Sequence, residues 1–560
     1  MSQKVVIVGG VAGGASTAAR LRRLDEEAEI VLFERGEHVS YANCGLPYYI
    51  GEIIQDREEL FVMSPQQFKE WFNIEVRTNS EVTSLDCEAK AVEVKDQVSG
   101  EKYRESYDKL VLSPGAEAVR PPFPGAELSS VFTLRSVPDT DRIYDFIREN
   151  NPGSAVVVGA GFIGLEMAEN LFHRGIKVSV VEMLPQVLPF LDEEMAAFMQ
   201  QYMRRQGVSL HLRDGVAGFE KSHDKGVKVK LNSGEELETD MVLLSVGVKP
   251  EINLAWEAGL EVERGIKVNR YLQTSDPHIY ALGDAVEKED FVTGNKALIP
   301  LAGPANKQGR TVANNIAGRM EAYQGTQGTS VLKVFDMVAA GTGANERTLQ
   351  EAGLDYHSCI VHPGSHAGYY PGSSQIALKL LFSPEGKIYG AQAIGESGVD
   401  KRIDVLAAAL RMKEDVYSLQ QLELAYAPPF SSAKDPANIA GYAAGNILQQ
   451  DLQVIGAAEL LEIEEEGLEK SGIEIVDVRN PEELEEEGQV PGARNIPLAQ
   501  IRDRFQELPR DKELVLYCAV GKRSYLASRI LMQKGFPKIR SLNGGYRTYQ
   551  ALKQERKNLS

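Results

Sequence analysis

Two cysteines in this 560-residue chain stand where a thiolate could do chemistry. Cys44 lies in Val39-Ser40-Tyr41-Ala42-Asn43-Cys44-Gly45-Leu46-Pro47, a loop that turns into a helix at the cysteine itself. Free backbone N–H groups at a helix start lower a thiol's pKa, so a reactive thiolate is expected there. A buried structural cysteine is the plain alternative. Cys518 lies in Leu514-Val515-Leu516-Tyr517-Cys518-Ala519-Val520-Gly521-Lys522-Arg523-Ser524, a strand running into a tight loop and then a helix near Ser524. A loop of that length can wrap its N–H groups around one sulfur. Lys522 and Arg523 would add positive charge, favouring a thiolate or a persulfide. Arg523 could instead be a structural partner of Asp477. The remaining cysteines, Cys87 and Cys359, are widely separated, so no disulfide framework is expected and a reducing, cytoplasmic location fits best. Cys359 has His357, His362 and His366 nearby, but Pro363 and Gly364 break any helix that could align them, so no metal site is expected.

These cysteines need elements to position them, and glycine turns mark where those elements begin. Val5–Val8 is an apolar strand, Gly9-Gly10-Val11-Ala12-Gly13-Gly14 a turn, Ala15–Leu24 a helix, and Ile30–Phe33 a second strand ending at Glu34. This is a βαβ dinucleotide unit with an acid at the ribose position, although Val11 replaces the middle glycine. The pattern recurs in full later. Ala155–Val158 runs into Gly159-Ala160-Gly161-Phe162-Ile163-Gly164, then a helix to His173, then a strand from Lys177 to Val181 ending at Glu182. Glycines make the turn, the helix N-terminus meets a pyrophosphate, and the carboxylate holds a ribose diol. Glu182 would repel a 2′-phosphate and no arginine follows it, so NADH is favoured, with NADPH possible. A Rossmann unit that binds nothing is the bland alternative. Two such units suggest two nucleotides with hydride passing between them.

The bulk numbers set limits. The length implies roughly three to four domains. Apolar content of 43% and charge of 25% are ordinary for a globular protein. A net charge of −19 argues against nucleic acid or an anionic membrane as partner, while leaving room for a local basic pocket. Met1 to Gly9 has no signal-peptide pattern, and no stretch reaches about 18 apolar residues, so no membrane span is expected.

Two further stretches fit the first dinucleotide unit: Leu110-Val111-Leu112-Ser113-Pro114-Gly115-Ala116, and a strand through Ile279 and Tyr280 ending at Gly283-Asp284-Ala285. With them the chain resembles the pyridine nucleotide–disulfide oxidoreductase family. The resemblance implies an α/β architecture with two Rossmann-like FAD/NAD(P)-binding domains, an α+β dimerisation domain and a C-terminal α/β domain. It implies FAD held by Gly9, Gly14, Glu34, Arg35, Ser113, Gly115 and Asp284, the last on the ribityl chain. NADH would be held by Gly159, Gly161, Phe162, Ile163, Gly164, Glu182 and Gly247. The FAD domain would comprise 1–120 with 245–325, the NADH domain 121–244 and the dimerisation domain 326–446.

A polar stretch at 447–457 is expected to be a linker, and the acidic run Leu460–Lys470 a solvated helix face. Ile473–Arg479, Val490–Pro497 and Leu514–Ser524 then appear in the order of a rhodanese domain, whose C-x-x-G-x-R-S loop is Cys518 to Ser524; the domain would span 458–560. A rhodanese-like domain that only binds is the alternative. Family members with an internal disulfide carry two cysteines five residues apart. Here position 49 is Tyr49, so Cys44 must pair with an external thiol or cycle through sulfenic acid. The peroxidase and oxidase branch carries a histidine in its first glycine turn, and this chain has none before His38. Ser40-Tyr41-Ala42-Asn43-Cys44 is instead similar to the coenzyme A-disulfide reductases, and the whole chain to their rhodanese-fused, CoA-persulfide-reducing group, with Tyr41 in place of the usual Phe. That resemblance implies a CoA site lined by Ser16, Arg20, Arg23, Ser40, Asn43, Asn306, Lys434 and Tyr442, with Tyr369 and Tyr426 of a second subunit in a homodimer near the sulfur. Arg20 and Arg23 lie three apart on one helix face, as phosphate contact requires; a solvated face is the alternative. The activity expected is NADH- and FAD-dependent reduction of CoA persulfide through a Cys44–CoA mixed disulfide. Cys518 and Arg523 would handle sulfane sulfur. CoA-disulfide reduction, NADH peroxidase or oxidase activity, and a sulfur-carrier or sensing role are the alternatives.

Overall fold

The computed structural model describes residues 3–222 and 226–559. Met1, Ser2 and Ser560, at the outer ends of the segments expected at 1–120 and 458–560, lie outside the described residues, as do 223–225. Residues up to Val181 together with Asp214–Gly328 form one compact unit, and Glu182–Arg213 with Thr329 onward form a second.

The first unit is built on two parallel sheets. In one, the strand order is Ile279–Ala281, Lys109–Leu112, Lys4–Val8, Glu29–Phe33, Glu75–Arg77. Its sequences (KLVL, KVVIV, EIVLF) are continuous apolar runs rather than alternating ones, because both faces are buried, one under helices and the other against strands Ser80–Asp86 and Ala91–Asp96 and the segment around Ala255. The helix Ala12–Arg22 packs on one face beside Ala302–Ile316. In the second sheet, Ser154–Val158 pairs in parallel with Lys177–Glu182 on one side and Met241–Leu244 on the other, and Met241–Leu244 pairs with Val131–Thr133. Each parallel sheet is accompanied by a three-stranded antiparallel sheet, Ser80–Asp86/Ala91–Asp96/Lys102–Ser106 and Val216–Lys221/Val227–Leu231/Glu236–Thr239.

The second unit holds an antiparallel five-stranded sheet in the order Ser330–Val334, Met337–Gly343, Ile388–Gly395, Ile376–Phe382, His357–Val361. It also holds a parallel sheet in the order Val454–Ile455, Ile539–Leu542, Glu513–Tyr517, Ile473–Asp477, Arg494–Asn495. The stretch expected as a linker at 447–457 is therefore partly structured: Pro436–Leu448 is helical and Val454–Ile455 is an edge strand of the parallel sheet. Its polar composition hid two residues whose ladder partners lie near position 540. The acidic run falls largely on the helix Ala457–Glu466, which buries Leu460 and Leu461, exposes Glu462, Glu465 and Glu466, and turns Glu464 inward to Tyr549 and Lys553.

Two ionic cores brace this unit. Lys379 sits fully buried in the strand Ile376–Phe382, with its ammonium 2.8 Å from Asp192, 2.6 Å from Glu194 and 2.7 Å from Glu346. Burial works against the charge, but the three carboxylates outweigh it and hold the lysine well above its ordinary pKa. Arg479 is also fully buried, 2.7 Å from Asp477 and 4.2 Å above the Tyr546 ring, donating to the Gly488 carbonyl. In both cases the packing satisfies a cation that would otherwise be too costly to bury.

Lys379→Met should destabilise this unit by about 3–5 kcal/mol near neutral pH, because buried Asp192 and half-buried Glu194 and Glu346 lose their cation. Without the cation those carboxyls bind protons more tightly folded than unfolded, so the loss should narrow as pH falls from about 8 towards 5. Urea unfolding of both proteins at the two pH values measures it.

Candidate active site

In the first unit the backbone of the Cys44 stretch is pinned at several points. Ser40 N donates to the Gly10 carbonyl at 2.9 Å, Val62 N to the Ser40 carbonyl and Ala42 N to the Leu60 carbonyl, both at 2.8 Å. Ser40 takes a left-handed conformation, φ +49°. Asn43–Gly45 is a single 3-10 turn and only Leu46–Ile50 is α-helical. The expected acidic thiol is not what this local structure produces. Cys44 is exposed as a residue, yet the protein around it desolvates the thiol enough to raise its pKa. Glu166 adds to that rise, Arg135 opposes it and Asp284 adds a smaller push. A helix of five residues offers too small a field to reverse this.

The first glycine turn is closed by Glu34, whose carboxylate accepts from Gly10 N and Gly36 N at 2.9 Å each. Arg35 is exposed and pairs with Glu117 at 3.1 Å. Ser113 N donates to the Val8 carbonyl, and Gly115 adopts φ +78°. Asp284 is 3.0 Å from Arg135, which also donates to the Ala116 carbonyl. Two buried atoms here have no hydrogen-bond partner among the described residues: Asn43 Oδ1 and Gln308 Nε2. Orphaned polar atoms of this kind mark where a ligand supplies the missing partner. In the second glycine turn, a Cβ on Gly161 would meet nothing within 4 Å, so the helix Phe162–His173 presents its first turn to open space. Phe162 and Ile163 are half-buried in that turn. Glu182 ends its strand and accepts from Leu184 N at 2.9 Å; Gly247 adopts φ +104°.

Beside the first helix a cleft of about 310 Å³ brings together Ser16, Arg20, Arg23, Ser40 and Asn306. Ser16 donates to Asn306. Arg23 caps the helix rather than lying within it. Arg310 also lines the cleft; no local pattern points to it, because it lies 290 residues from Arg20 on the neighbouring helix. Arg20 is held below its ordinary pKa by desolvation, then by the like charges of Arg310, Arg319 and Arg23. Three of these arginines, Arg20, Arg23 and Arg310, line the cleft, and with only Glu321 among the described residues opposing the repulsion at Arg20 the cleft is a focus of positive charge in a chain of net charge −19. Asn43 does not line this cleft.

In the second unit, Tyr369 and Tyr426 meet hydroxyl to hydroxyl at 2.9 Å and remain exposed, 77% and 48%. Their loops are joined by buried Arg402, which donates to the Ser365 carbonyl and Ser431 hydroxyl and pairs with Asp435 at 3.2 Å. Lys434 and Tyr442 are exposed nearby on the segment leading into and along Pro436–Leu448. His362 is buried against Thr548 at 2.9 Å and pushed down to about 3 by burial, and Cys359 is pushed up to about 12 by burial. No group of three or more metal-ligating side chains forms among the described residues.

Cys518 is buried at the end of Glu513–Tyr517. The backbone N–H groups of residues 519–524 donate to no other protein group among the described residues, and the helix Lys522–Gln533 starts there. The loop is held from behind: Tyr546 N donates to the Cys518 carbonyl at 2.8 Å and Arg547 N to that of Ala519 at 3.1 Å. Gly545 is required there, since a Cβ would sit 2.6 Å from the Cys518 oxygen. Arg523 does not pair with Asp477, which Arg479 occupies. Its two terminal nitrogens lie 2.6 Å from the Glu483 carboxylate, and it interacts with the Cys518 sulfur. The same backbone segment reaches the antiparallel sheet, where Asn543 accepts from Ile360 N at 2.7 Å.

Residues 3–309 match the pyridine nucleotide-disulphide oxidoreductase family, 329–437 its dimerisation domain, and 458–552 the rhodanese-like domain. The chain belongs to the pyridine nucleotide-disulphide oxidoreductase family. It is similar to the coenzyme A disulfide reductase of Staphylococcus haemolyticus (strain JCSC1435), 36% identical over 80% of this chain and 100% of that one. Its structure is similar to that of reduced Bacillus anthracis CoADR-RHD, with 48% identity, TM-score 0.96 and 99% of each chain covered. It is also similar to the NAD-dependent persulfide reductase from A. fulgidus, with 38% identity, TM-score 0.90, and 98% of this chain and 100% of that one covered. As a family member this oxidoreductase works with FAD and NADH, and the two glycine turns, Glu34, Glu182 and the orphaned Asn43 and Gln308 atoms fit two dinucleotides. No helix among the described residues is long and apolar enough to cross a membrane.

Arg20→Gln and Arg310→Gln should each weaken binding of a pyrophosphate group in the cleft by about tenfold, the value of one charge-assisted hydrogen bond. Each should also flatten the salt dependence of binding. Calorimetric titration with inorganic pyrophosphate at low and high salt measures both.

Proposed function

We propose that this enzyme uses NADH and FAD to reduce a coenzyme A persulfide to CoA thiol and sulfide through Cys44. The observation that carries the proposal is the arginine cleft: Arg20, Arg23 and Arg310 line it with Ser40, four residues before Cys44. A phosphate-rich, thiol-bearing substrate suits a phosphate-binding cleft beside a reactive sulfur. Ser16 and Asn306 complete the cleft, and Lys434 and Tyr442 are assigned to the same ligand by resemblance. The rhodanese-like domain supports persulfide over plain disulfide, since sulfane-sulfur handling has no part in reducing an ordinary disulfide. The names of the similar proteins, a coenzyme A disulfide reductase and an NAD-dependent persulfide reductase, support both substrates.

In this reading the Cys44 thiolate attacks the CoA-bound sulfur of the persulfide and expels hydrosulfide. The Cys44–S–S–CoA mixed disulfide then takes two electrons and a proton to give back the Cys44 thiolate and CoA thiol. FAD, reduced by NADH, supplies those electrons when bound. Asp284, Glu34, Arg35, Ser113, Gly9, Gly14 and Gly115 hold FAD; Gly159, Gly161, Phe162, Ile163, Gly164, Glu182 and Gly247 hold NADH. Cys518 carries sulfane sulfur, its charge balanced by Arg523 and the free N–H groups of its loop. Tyr369 and Tyr426 serve the Cys44 site of a second subunit; the dimerisation domain and their paired, exposed hydroxyls support that arrangement. Four unpaired cysteines support a cytoplasmic setting.

The test is anaerobic NADH consumption and sulfide release with CoA persulfide beside CoA disulfide, on wild type, Cys44→Ser and Cys518→Ser. Sulfide release that requires Cys44, with CoA disulfide much the poorer substrate, is the expected result. Equal or better turnover of CoA disulfide would make CoA redox maintenance the primary activity. Unchanged persulfide turnover by Cys518→Ser with every donor would end the carrier role of Cys518.

A further inference from the structure

Glu166 has no part in any of the assignments above, yet it is the group with the largest influence on Cys44 after desolvation. It stands on the helix Phe162–His173, which packs against Leu46–Ile50, the short helix that follows the cysteine. There the Tyr48 hydroxyl lies 3.4 Å from Glu166 Oε1. Cys44 and Tyr48 are four residues apart, one turn, and interact electrostatically. Glu166 raises Cys44 and Tyr48, and Cys44 raises Tyr48, which reaches about 12 with burial as the leading cause. Glu166 is pushed up to about 7, by desolvation first and then by Glu169, against the Tyr48 hydrogen bond. The other titratable groups on these elements point the same way or stand apart. Glu169 is buried on the same helix, Tyr49 stacks on Tyr144 at 4.9 Å, and Arg174 beyond the helix end pairs with Glu52 at 3.1 Å. Ser154–Val158, the strand packed against this helix, carries no titratable side chain. Near neutral pH part of Glu166 is therefore protonated, one hydroxyl away from the turn that carries Cys44.

The chemistry proposed above has a use for that proton. A persulfide is more acidic than a thiol and enters as the anion R–S–S⁻. Attack by Cys44 on the inner sulfur would then have to expel S²⁻, a very poor leaving group, unless a proton reaches the outer sulfur as the S–S bond breaks. A disulfide substrate has no such need, because its leaving group is an ordinary thiolate.

We propose that Glu166, acting through the Tyr48 hydroxyl, supplies the proton to the sulfur that leaves when Cys44 attacks a persulfide. The balanced step is Cys44–S⁻ + R–S–S⁻ + Glu166–COOH → Cys44–S–S–R + HS⁻ + Glu166–COO⁻. The outer S–S bond breaks, the Cys44–sulfur bond forms, and Glu166 regains its proton from water. Tyr48 can pass the proton on because a hydroxyl both donates and accepts. Glu166 and Tyr48 are here positioning and proton-holding residues, and the step rests on the persulfide reading of the active site.

Two measurements on Glu166→Gln, with Tyr48→Phe and Glu166→Asp beside it, test this. The first is iodoacetamide alkylation of Cys44 against pH, followed by peptide mass spectrometry, which needs no turnover. The Gln variant should show its alkylation midpoint at lower pH than wild type, because the neighbouring acid that raises Cys44 is gone. An unmoved midpoint overturns the coupling. The second is sulfide release from CoA persulfide against pH. Wild type should rise with pH to about 7 and then run level, because beyond that point each gain of Cys44 thiolate is matched by a loss of protonated Glu166. Glu166→Gln should be slower by about a hundredfold near pH 7 and lose the break there, rising further as Cys44 ionises. Glu166→Asp should restore the break, and Tyr48→Phe should slow persulfide turnover more than CoA-disulfide turnover. Equal losses on both substrates with the wild-type pH profile retained would make Glu166 a purely structural residue. Failure of the persulfide reading itself shows separately, as better CoA-disulfide turnover by wild type, and leaves the alkylation result intact.

Discussion

At the end of the strand Lys4–Val8 the backbone passes so close to its neighbours that only glycine fits. A Cβ on Gly14 would lie 1.8 Å from the Gly9 carbonyl oxygen, and one on Gly9 would lie 2.1 Å from the Ser113 oxygen. The second turn repeats this geometry: Gly164 against Gly159 at 2.0 Å, Gly159 against the Ser245 oxygen at 2.3 Å. Gly9 and Gly159 also carry φ values of +94° and +102°, which side chains disfavour. This contact draws each helix start onto the tip of its strand and aims its free N–H groups at a pyrophosphate. It also lets Ser40 N reach the Gly10 carbonyl, which ties the Cys44 stretch to the first turn. The middle glycine is different. Gly161 meets no protein atom and has an ordinary φ of −81°, and Val11 at the matching place has φ −98°. The departure from G-x-G-x-x-G at Val11 therefore calls for no left-handed backbone.

The parts of this protein that were legible in the sequence are those built from neighbours in the chain. Apolar runs gave the parallel strands, glycine spacing the turns, and Cys518 to Ser524 the loop after its strand. The parts that were hidden are set by distant residues. Arg310 joins Arg20 only because Ala302–Ile316 packs beside Ala12–Arg22. Desolvation by the surrounding protein, and then Glu166 more than a hundred positions away, raise the Cys44 thiol, so a rule based on a local helix start gave the wrong sign. The Arg523–Asp477 alternative failed for a local reason instead: Arg479, two residues from Asp477, can fold back on it in the same buried site. Glu483 was available to Arg523 because a capping box fixes it at the start of Pro481–Glu487. The expected linker was misjudged because a two-residue edge strand has no periodicity to detect.

The second unit shows why its sulfur loop is a rigid object. Asn543 accepts from Ile360 N and donates to the Ser358 carbonyl, Thr548 meets His362, and Gln200 and Arg556 bind Glu555 and Glu193. The segment between these anchors, Gly544–Arg547, is the one that holds the Cys518 and Ala519 carbonyls. His362 is kept neutral by burial, so this joint carries no charge that physiological pH could switch. Sulfur delivery by a swinging rhodanese-like domain would have to break this set of buried hydrogen bonds, each of which leaves an unsatisfied group behind.

The two sulfur sites are then opposites in electrostatic terms, and the opposition suits a division of labour. Around Cys518 the local charges are a guanidinium and unpaired N–H groups, with Glu483 offsetting part of Arg523. That setting surrounds the buried sulfur with donors. Around Cys44 the neighbours are Glu166 and Asp284, opposed by Arg135. That setting penalises a lasting thiolate and keeps a proton close. A carrier cysteine has to hold an anionic persulfide without reducing it, which is what cations and free N–H groups favour. At Cys44 a higher thiol pKa makes each thiolate more nucleophilic but lowers the thiolate fraction by more, so what this site gains is the nearby proton that bond breaking needs. The raised pKa of Cys44, the reverse of what its place at a helix start suggested, is therefore consistent with catalysis: it makes the thiolate scarcer but more reactive, beside the carboxyl group that can protonate what it displaces.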